Sequence, residues 1–563
     1  MGTVMQSTPQ RNDTRQARWD RLERASLFEQ YGELQDQGLS QRQAAHQLEV
    51  PRTTLQAWQL YQERLDEEPA VVAFFQSPPG LAFLHRLMAG LHLVCTEVGA
   101  CGIRLVCLLL KLTALDRFVG ASYGTQQQFN RQVEEAIVAY RREESTRLAK
   151  EMPAKVITVT QDETFTGGLC LVSMDPDSNY LLLEKPAHGR DQDTWNELME
   201  QALSGLNCHV IQSTSDEAPG LLAYVEHHLG AHHSPDLFHV QQELVKAASG
   251  PLATKQRAAS KAAAAAQARL DQVLGHRSDT DDEPTPPEPA RASEAPFNRE
   301  QAEHNAQAAI QELERIRAQR EQVAQSIRRI GQAYHFVDLE RGVRRNAQLI
   351  ANDIYEQIDT IRGVAQHEGL AQSCLDRIDK AERVVPKMQA TIEFVSGYVR
   401  QQVSQLDLTP AACFAMHARL IPAFYLERVA QTRTVSAGKP LCELAERLRT
   451  PLFEPGGAFA ALTPTTQRQL QHQAQRLATV FQRSSSNVEG RNGYLSLRNH
   501  QLRGLDRPRK RECLTAIHNF FLTRDDGTTA AERFFGQKPR SMFAAILDAV
   551  EVPPAPLSPP RWA

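Results

Sequence analysis

The chain lacks the features that mark secreted, zinc-binding and membrane-spanning proteins. Its nine cysteines are an odd number without any Cys-x-x-Cys pair, and the polar, Arg-rich N-terminus carries no apolar signal core. These absences predict buried thiols in a reducing cytoplasm rather than disulfides or a zinc site. Charged residues interrupt residues 81–118, the most hydrophobic part, so no run reaches the roughly 18 uncharged residues that a spanning helix needs. We expect buried helices there.

The chain also lacks an excess of positive charge. Its net charge of −4 excludes a protein that coats nucleic acid uniformly, so contacts with DNA must come from local basic patches. One patch is predicted in residues 482–540, where 12 Lys or Arg outnumber 6 Asp or Glu. The DNA-binding residues expected in this segment are Arg491, Arg498, Arg507, Arg509, Lys510 and Arg511.

A chain of 563 residues is too long for one core, and its patterns divide it into six segments. These are a helix-turn-helix domain at 1–66, a helical connector at 67–150, the first part of an α/β core at 151–245, an all-helical insertion at 246–481, the last part of the core at 482–545 and a disordered, Pro-rich tail at 546–563.

The first motif consists of two short helices within residues 28–62. Gly38-Leu39-Ser40 predicts a turn followed by a helix cap, because the Ser40 hydroxyl can accept a free backbone N–H. Small Ala residues in the first helix let a second helix, beginning after Pro51, cross it closely. This pattern resembles a helix-turn-helix, whose second helix enters the major groove of DNA, and an ordinary helical hairpin is the alternative. The predicted readers of DNA are Arg52, Thr53, Thr54 and Gln56.

Residues 151–245 carry β-rich stretches that alternate with helical patterns. Strands are predicted at 155–162, 169–174, 180–184 and 208–212, and Asp236–Val240 starts or ends a fifth. Helical spacing covers 190–203 and 218–229. The resulting order, β-β-β-α-β-α-β, predicts a mixed sheet with helices on its faces.

The insertion contains no convincing strand. Its residues 277–296 hold five Pro and many acids, which predicts a flexible linker. A coiled-coil-like stripe follows, and either a dimer contact or packing inside one helical hairpin would bury it. The stripe consists of Ile316, Val323, Ile327 and Ile330.

Three acids stand at positions where a sheet edge and a helix would bring them together. Asp162 ends the first predicted strand, Asp216 follows the fourth, and Glu489 lies in Ser485-Ser-Asn-Val-Glu-Gly-Arg-Asn492. Cutting or transferring a phosphodiester needs charge neutralisation and an activated oxygen, which two Mg²⁺ about 4 Å apart supply. Mg²⁺ prefers hard oxygen ligands and keeps several waters, so three carboxylates suffice. We therefore predict that these acids bind Mg²⁺, for which Mn²⁺ can substitute.

This arrangement resembles the RNase H-like DDE transposases of bacterial insertion sequences, in particular the families with a large helical insertion before the last acid. The resemblance implies an RNase H-like mixed-sheet core interrupted by that insertion, with Asp162, Asp216 and Glu489 as catalytic metal ligands. Asp236-Leu-Phe-His239 matches a further family signature, and residues 528–536 resemble the closing Thr-Pro-Ala-Glu segment, with Ala530 in place of Pro. Asp236, His239 and Asn492 are expected to support the metal ligands.

Each acid also has an alternative interpretation. Glu163 could be the ligand instead of Asp162, because alternation along a strand sends the two to opposite faces. Asp216 could cap a helix, Asp236 could be the second ligand, and Glu489 could lie on a helix surface. Four further histidines could suggest zinc, but we expect them to be solvated on a helix end and a loop. They are His227, His228, His232 and His233.

The resemblance implies a transposase that binds the ends of its element and joins them to target DNA. Two ends require two active sites, so a homodimer or a larger synaptic complex is expected, in the cytoplasm with the nucleoid. The alternatives are a non-catalytic DNA-binding protein, such as a regulator or a decayed transposase, and a nuclease without strand transfer.

Overall fold

The computed structural model describes residues 19, 21–63, 68–165, 167–275, 295–501, 505 and 507–554. The predicted linker at 277–296 therefore lies almost wholly outside the described residues, as does the end of the predicted tail. The described chain combines one mixed five-stranded sheet with many helices. This agrees with an α/β core joined to all-helical regions.

The N-terminal helices are α1 (Arg21–Asp36), α2 (Gln41–Gln47) and α3 (Arg52–Glu63). The cap at Ser40 is confirmed, because its hydroxyl accepts the Gln43 N–H while the Gln43 side chain accepts from the Ser40 N–H. Ala44 and Leu55 are fully buried between these helices. The small residues of α2 thus let α3 pack closely against it.

The connector is helical, as predicted. Its elements are α4 (Pro69–Gln76), α5 (Pro78–Leu91), a π-helical stretch (His92–Val98), α6 (Ile103–Leu112), a 3₁₀ turn (Leu115–Arg117) and α7 (Tyr123–Lys150). Among the described residues, Pro78–Val98 is long and apolar enough to cross a membrane by length and composition. Its buried Glu97 accepts hydrogen bonds from Lys510 and Asn130, and Leu84, Met88 and Leu93 of the same stretch are buried in one hydrophobic cluster with residues of α7.

The sheet consists of β1 (Lys155–Thr164), β2 (Cys170–Asp175), β3 (Tyr180–Pro186), β4 (Cys208–Ser215) and β5 (His232–Pro235). Their order across the sheet is β3-β2-β1-β4-β5, with β2 antiparallel to β1 and β3, and with β4 parallel to β1 and β5. Helix α8 (Gln192–Leu203) connects β3 to β4. Helix α9 (Pro219–Tyr224), which continues as a π-helical turn (Val225–Leu229), connects β4 to β5. The fifth strand ends before Asp236, which corrects the prediction of a strand at 236–240.

The helical region that contains the predicted insertion at 246–481 begins directly after β5, and its described residues form helices joined by turns and loops, without a strand of the sheet. Its helices are α10 (Leu237–Leu244), α11 (Gly250–Gly275), α12 (Ala295–Ala333), α13 (Ala347–His367), α14 (Gln372–Glu382), α15 (Val385–Ser404), α16 (Pro410–Ala415), α17 (Ile421–Gln431), α18 (Val435–Arg449) and α19 (Pro464–Thr479). π-helical turns lie at Val245–Ser249 and Met416–Leu420, and a 3₁₀ turn at Thr450–Leu452.

The isoleucine and valine stripe of α12 is buried within this one chain. Ile316, Val323, Ile327 and Ile330 all have exposed fractions of 9% or less. Three of the four share a hydrophobic cluster with residues of α10 and α13. Of the two alternatives for the stripe, intramolecular packing therefore applies.

The last part of the chain returns to the sheet through α20 (Ser486–Gln501), α21 (Pro508–Phe520), α22 (Ala530–Phe535) and α23 (Met542–Ala549). Because α23 is helical and Val550 is buried, the prediction that disorder begins at residue 546 is wrong. Ile517, Phe534 and Ile546 belong to one hydrophobic cluster with residues of α5, α7 and β1. The connector and the C-terminal helices thus share a core with the sheet.

Helix α20 is fixed to the sheet by a buried ion pair. Val172 is the cross-strand partner of both Asp162 and Glu184, so these three residues share one face of the sheet. Arg491 donates two hydrogen bonds to Glu184, of 2.7 and 3.1 Å, and both side chains are at most 4% exposed. Val488, fully buried, packs against the same face.

We predict that Glu184→Gln destabilises the fold by about 3–5 kcal/mol, because it leaves the Arg491 guanidinium buried without its counter-charge. The double variant Glu184→Leu/Arg491→Met should recover most of this loss. Urea unfolding of the full chain measures both. Glu443→Gln is the matched control, since Glu443 is exposed and 3.9 Å from Lys439, and it should cost less than about 1 kcal/mol. A loss for Glu184→Gln no larger than for this control would contradict the prediction.

Candidate active site

Three acids lie at the same edge of the sheet because three neighbouring strands are parallel. Thr160 of β1 pairs with Thr214 of β4, and Asp162 and Asp216 each follow two residues later. Ser215 of β4 pairs with Pro235 of β5, directly before Asp216 and Asp236. The carboxyl ends of β1, β4 and β5 therefore present Asp162, Asp216 and Asp236 in a row.

Asp162 faces α20, whereas Glu163 does not. The Asn492 side-chain amide donates to Asp162 Oδ2 at 2.7 Å, and the Glu163 backbone N–H donates to Oδ1 at 2.8 Å. The Glu163 carboxylate is instead paired with the Arg190 guanidinium at 2.9 Å. Of the two candidate ligands on this strand, Asp162 and Glu163, the structure places Asp162 next to the other acids.

Glu489 is held in the first turn of α20 by the segment that precedes the helix. The Ser485 hydroxyl donates to Asp236, and the Ser485 carbonyl accepts the Glu489 backbone N–H at 3.0 Å. Asn492 lies one turn further along the same helix face. Glu489 thus reaches the sheet edge from across its face, although 253 positions separate it from Asp236 in the sequence.

Asp162, His239 and Glu489 form a group whose ligand atoms all lie within 4.8 Å of one another. The His239 Nε2 atom is 3.7 Å from Glu489 Oε1 and 3.8 Å from Asp236 Oδ2, and this buried atom has no hydrogen-bond partner. Asn492, whose amide nitrogen donates to Asp162, has an Oδ1 atom that is also buried without a partner. Two carboxylates, an imidazole nitrogen and unsatisfied polar atoms are a donor set that fits a divalent cation such as Mn²⁺ or Mg²⁺.

Asp216 lies beside this group but is not a member of it. Its Oδ1 atom accepts the Ala218 backbone N–H at 3.2 Å, directly before α9. Its charge nevertheless acts on Asp162. We expected His239 to support the metal ligands, whereas here it is a member of the candidate ligand group itself. Asp236, also expected to play a supporting role, accepts the hydrogen bond from Ser485.

The pKa of Asp162 is raised to about 7. The largest cause is burial, which removes water from the charged carboxylate. The negative charges of Glu489, Asp216 and Asp236 raise it further. A bound divalent cation would offset both effects, so this pKa indicates a site that favours positive charge.

The four other histidines do not form a zinc site among the described residues. His232 and His233 lie on β5 rather than in a solvated loop, which corrects that expectation. Burial lowers the pKa of both to about 4, and they hydrogen bond with Thr391 and Ser215. His227 and His228 are exposed and contact Gln192.

The predicted DNA-reading residues of α3 lie on the molecular surface. Arg52, Thr53 and Gln56 are exposed, and Thr54 is half-buried. The Arg52 and Gln56 side chains both donate to Gln41 Oε1 of α2, at 3.2 and 3.1 Å. The start of α3 thus presents Arg52, Thr53 and Gln56 to solvent, while Leu55 packs inward.

The predicted basic patch in residues 482–540 is not a continuous surface. Arg491 is buried against Glu184, and Arg498 donates to the Thr96 and Val98 carbonyls. Arg511 is buried and donates to the Leu505 carbonyl. These three side chains satisfy internal groups, so the expectation that they contact DNA is wrong for this conformation.

Two further basic residues are paired with acids of the connector. Lys510 bridges Glu97 and Glu134, and Arg509 contacts Glu134 and Glu135. Only Arg507, at the start of α21, is an exposed member of the six predicted positions. The local excess of positive charge is largely neutralised by a different part of the chain.

Comparison with known proteins adds one match. A family described as "Family of unknown function (DUF6399)" matches residues 416–560, which include α20 and Glu489. The match covers less than half of the chain. No curated protein and no solved structure matches the chain.

We predict that the group binds Mn²⁺ and that Asp162→Asn, His239→Ala or Glu489→Gln each lower the affinity at least about tenfold, because each removes one ligand atom. Isothermal titration calorimetry of the full chain measures this. Glu443→Gln, on an exposed helix face, should titrate like the unaltered chain. Unchanged affinity in all three variants would exclude a metal site here.

A second prediction concerns pH. The raised pKa means that the folded state holds the Asp162 proton to higher pH than the unfolded state, whose pKa is near 3.8. In the presence of a chelator, stability should therefore fall as pH rises towards about 7. Asp162→Asn removes this dependence, so the stability difference between variant and unaltered chain should grow from pH 5 to pH 7.5 in urea unfolding. A constant difference would contradict the raised pKa.

Proposed function

We propose that the protein is a metal-dependent DNA transposase of the RNase H-like DDE type, which cleaves at the ends of its element and joins them to target DNA. The observation that carries this proposal is the convergence of Asp162 and Glu489, from opposite ends of a large insertion, on one edge of the sheet. Carboxyl groups whose pKa is strongly perturbed by burial and by neighbouring charges cluster at functional sites, and the pKa of Asp162 is raised in this way.

The sheet supports the RNase H-like assignment. The resemblance requires the strand that carries the first Asp to lie beside the strand that precedes the second, and β1 and β4 are parallel neighbours. It also requires the last acid on a helix beyond a helical insertion, where Glu489 lies. The start of α20 adds favourable dipole charge for an acid in its first turn.

Asp162, Glu489 and His239 would hold the divalent cation, with Asp216 and Asp236 as neighbouring acids. When bound, Mg²⁺ or Mn²⁺ supplies activation of the attacking oxygen and neutralises charge on the phosphate. Asn492 orients the Asp162 carboxylate through its amide. Ser485 and Asp236 fix the entry to α20, so the Glu489 side chain stays directed at the sheet edge.

DNA is the proposed partner, and α3 is its proposed recognition element. The exposed Arg52, Thr53 and Gln56 at the start of this helix are side chains of the kinds that contact phosphates and base edges. The geometry of α2 and α3 supports a helix-turn-helix, with the recognition helix crossing a short capped helix. A cytoplasmic protein associated with the nucleoid follows from this partner.

We predict that the protein cleaves labelled DNA fragments taken from either side of its gene, in Mg²⁺ or Mn²⁺, and joins the released ends to a second duplex. Asp162→Asn and Glu489→Gln should lower cleavage at least about 1,000-fold, because each removes a ligand that acts on the transition state. Both should keep their affinity for DNA in a gel-shift assay, since α3 is unaltered.

The controls separate the alternatives. Glu443→Gln should cleave and join normally. Binding without cleavage by the unaltered chain would indicate a non-catalytic DNA-binding protein, and cleavage without joining would indicate a nuclease. Full cleavage by Asp162→Asn would remove this group of residues from the mechanism.

A further inference from the structure

Helix α6 of the connector carries apolar residues on two different faces, one buried and one exposed. Val106 and Leu110 are buried in the core. Leu105, Leu108, Leu109 and Leu112 are 43–77% exposed, and we call these four the leucine face. Their spacing of i, i+3, i+4 and i+7 places them on one side of the helix. A soluble helix with one buried face ordinarily presents polar residues on the other, so the leucine face indicates a partner.

A cavity of about 420 Å³ lies along the edge of the leucine face. Leu108, Lys111 and Tyr123 line it, and the half-exposed Tyr123 ring extends the apolar surface. Asp116 lies at this cavity, is 4% exposed, and has a buried Oδ1 atom without a hydrogen-bond partner. The cavity therefore combines apolar walls with the Asp116 carboxylate and with two cationic side chains of the same chain, Arg104 and Lys111.

The exposed area matches what a small specific dimer needs. The leucine face and Tyr123 together expose roughly 500 Å² of apolar surface, so two copies would bury about 1,000 Å² in total, near the lower bound of specific interfaces. The other apolar stripe that could join two chains, on α12, is already buried within its own chain. Among the described helices, α6 presents the longest unpaired run of leucines.

We infer that the leucine face is the interface between two copies of this chain, with the two α6 helices antiparallel about a two-fold axis near Leu108 and Leu109. Such an axis sets Leu112 of one copy against Leu105 of the other and makes the contact closed and self-complementary. Arg104 and Lys111 lie at the solvent-exposed rim, where salt screens their repulsion.

This surface is independent of the metal site. It gives the connector a role in assembly, and a pair of chains would supply two copies of the candidate active site. The dimer should form without DNA or metal, and in the Asp162→Asn variant as well. Failure of the proposed catalysis therefore leaves the interface intact, and failure of the interface leaves single-chain metal binding intact.

The test is the molar mass of the full-length chain in light scattering after size exclusion, from 1 to 50 μM. The unaltered chain should be a dimer, and Leu105→Glu/Leu112→Glu should raise its dissociation constant more than about 100-fold, because four leucines lose their burial. The matched control Leu349→Glu alters a leucine that is 60% exposed on α13, and it should remain dimeric.

The double variant should unfold at the same temperature as the unaltered chain at a concentration where the unaltered chain is monomeric, because the altered side chains are exposed in the monomer. A monomeric unaltered chain at 50 μM, or a double variant that stays dimeric, would overturn the proposal. Binding of the unaltered chain, but not the double variant, to anionic lipid vesicles in place of dimerisation would assign the face to a membrane surface and overturn it too.

Discussion

The site depends on holding several negative charges together in a partly dehydrated pocket. Asp162, Asp216, Asp236 and Glu489 repel one another, and burial increases the cost of ionising Asp162. Such an arrangement persists only when the surrounding structure fixes it. Here the parallel strands fix three of the acids through the backbone, and α20 brings the fourth.

Helix α20 does this through contacts that are unrelated to metal chemistry. The Arg491–Glu184 pair, the buried Val488 and the Ser485–Asp236 hydrogen bond each attach the helix to the sheet or to its edge. Asn492, on the same helix, donates a hydrogen bond from its side-chain amide to Asp162. The insertion, with its own extensive core, separates the two halves of the site in sequence while leaving them adjacent in space.

Several basic side chains of the C-terminal segment bind groups inside the protein and do not form a charged surface. Lys510 and Arg509 are neutralised by Glu97, Glu134 and Glu135 of the connector, and Arg498 satisfies carbonyls at the end of a π-helical stretch. The last turn of a helix leaves its backbone carbonyls without intrahelical partners, and a guanidinium can bond two of them. The C-terminal helices and the connector are therefore joined by buried charge as well as by apolar packing.

The sequence by itself determined four of the five strands, the cap at Ser40, the helical insertion and the acids at strand ends, because these follow from local periodicity and backbone chemistry. That the strand carrying Asp162 lies beside the strand preceding Asp216 was implied only by the family resemblance, and the sheet topology shows that the two are parallel neighbours. Only the tertiary structure decided that His239 lies close to Glu489 and that Asp216 lies outside the ligand group. It also decided that the Arg491, Arg498 and Arg511 side chains are buried. Those outcomes depend on which distant element supplies a counter-charge or a free carbonyl, and neither composition nor spacing carries that information.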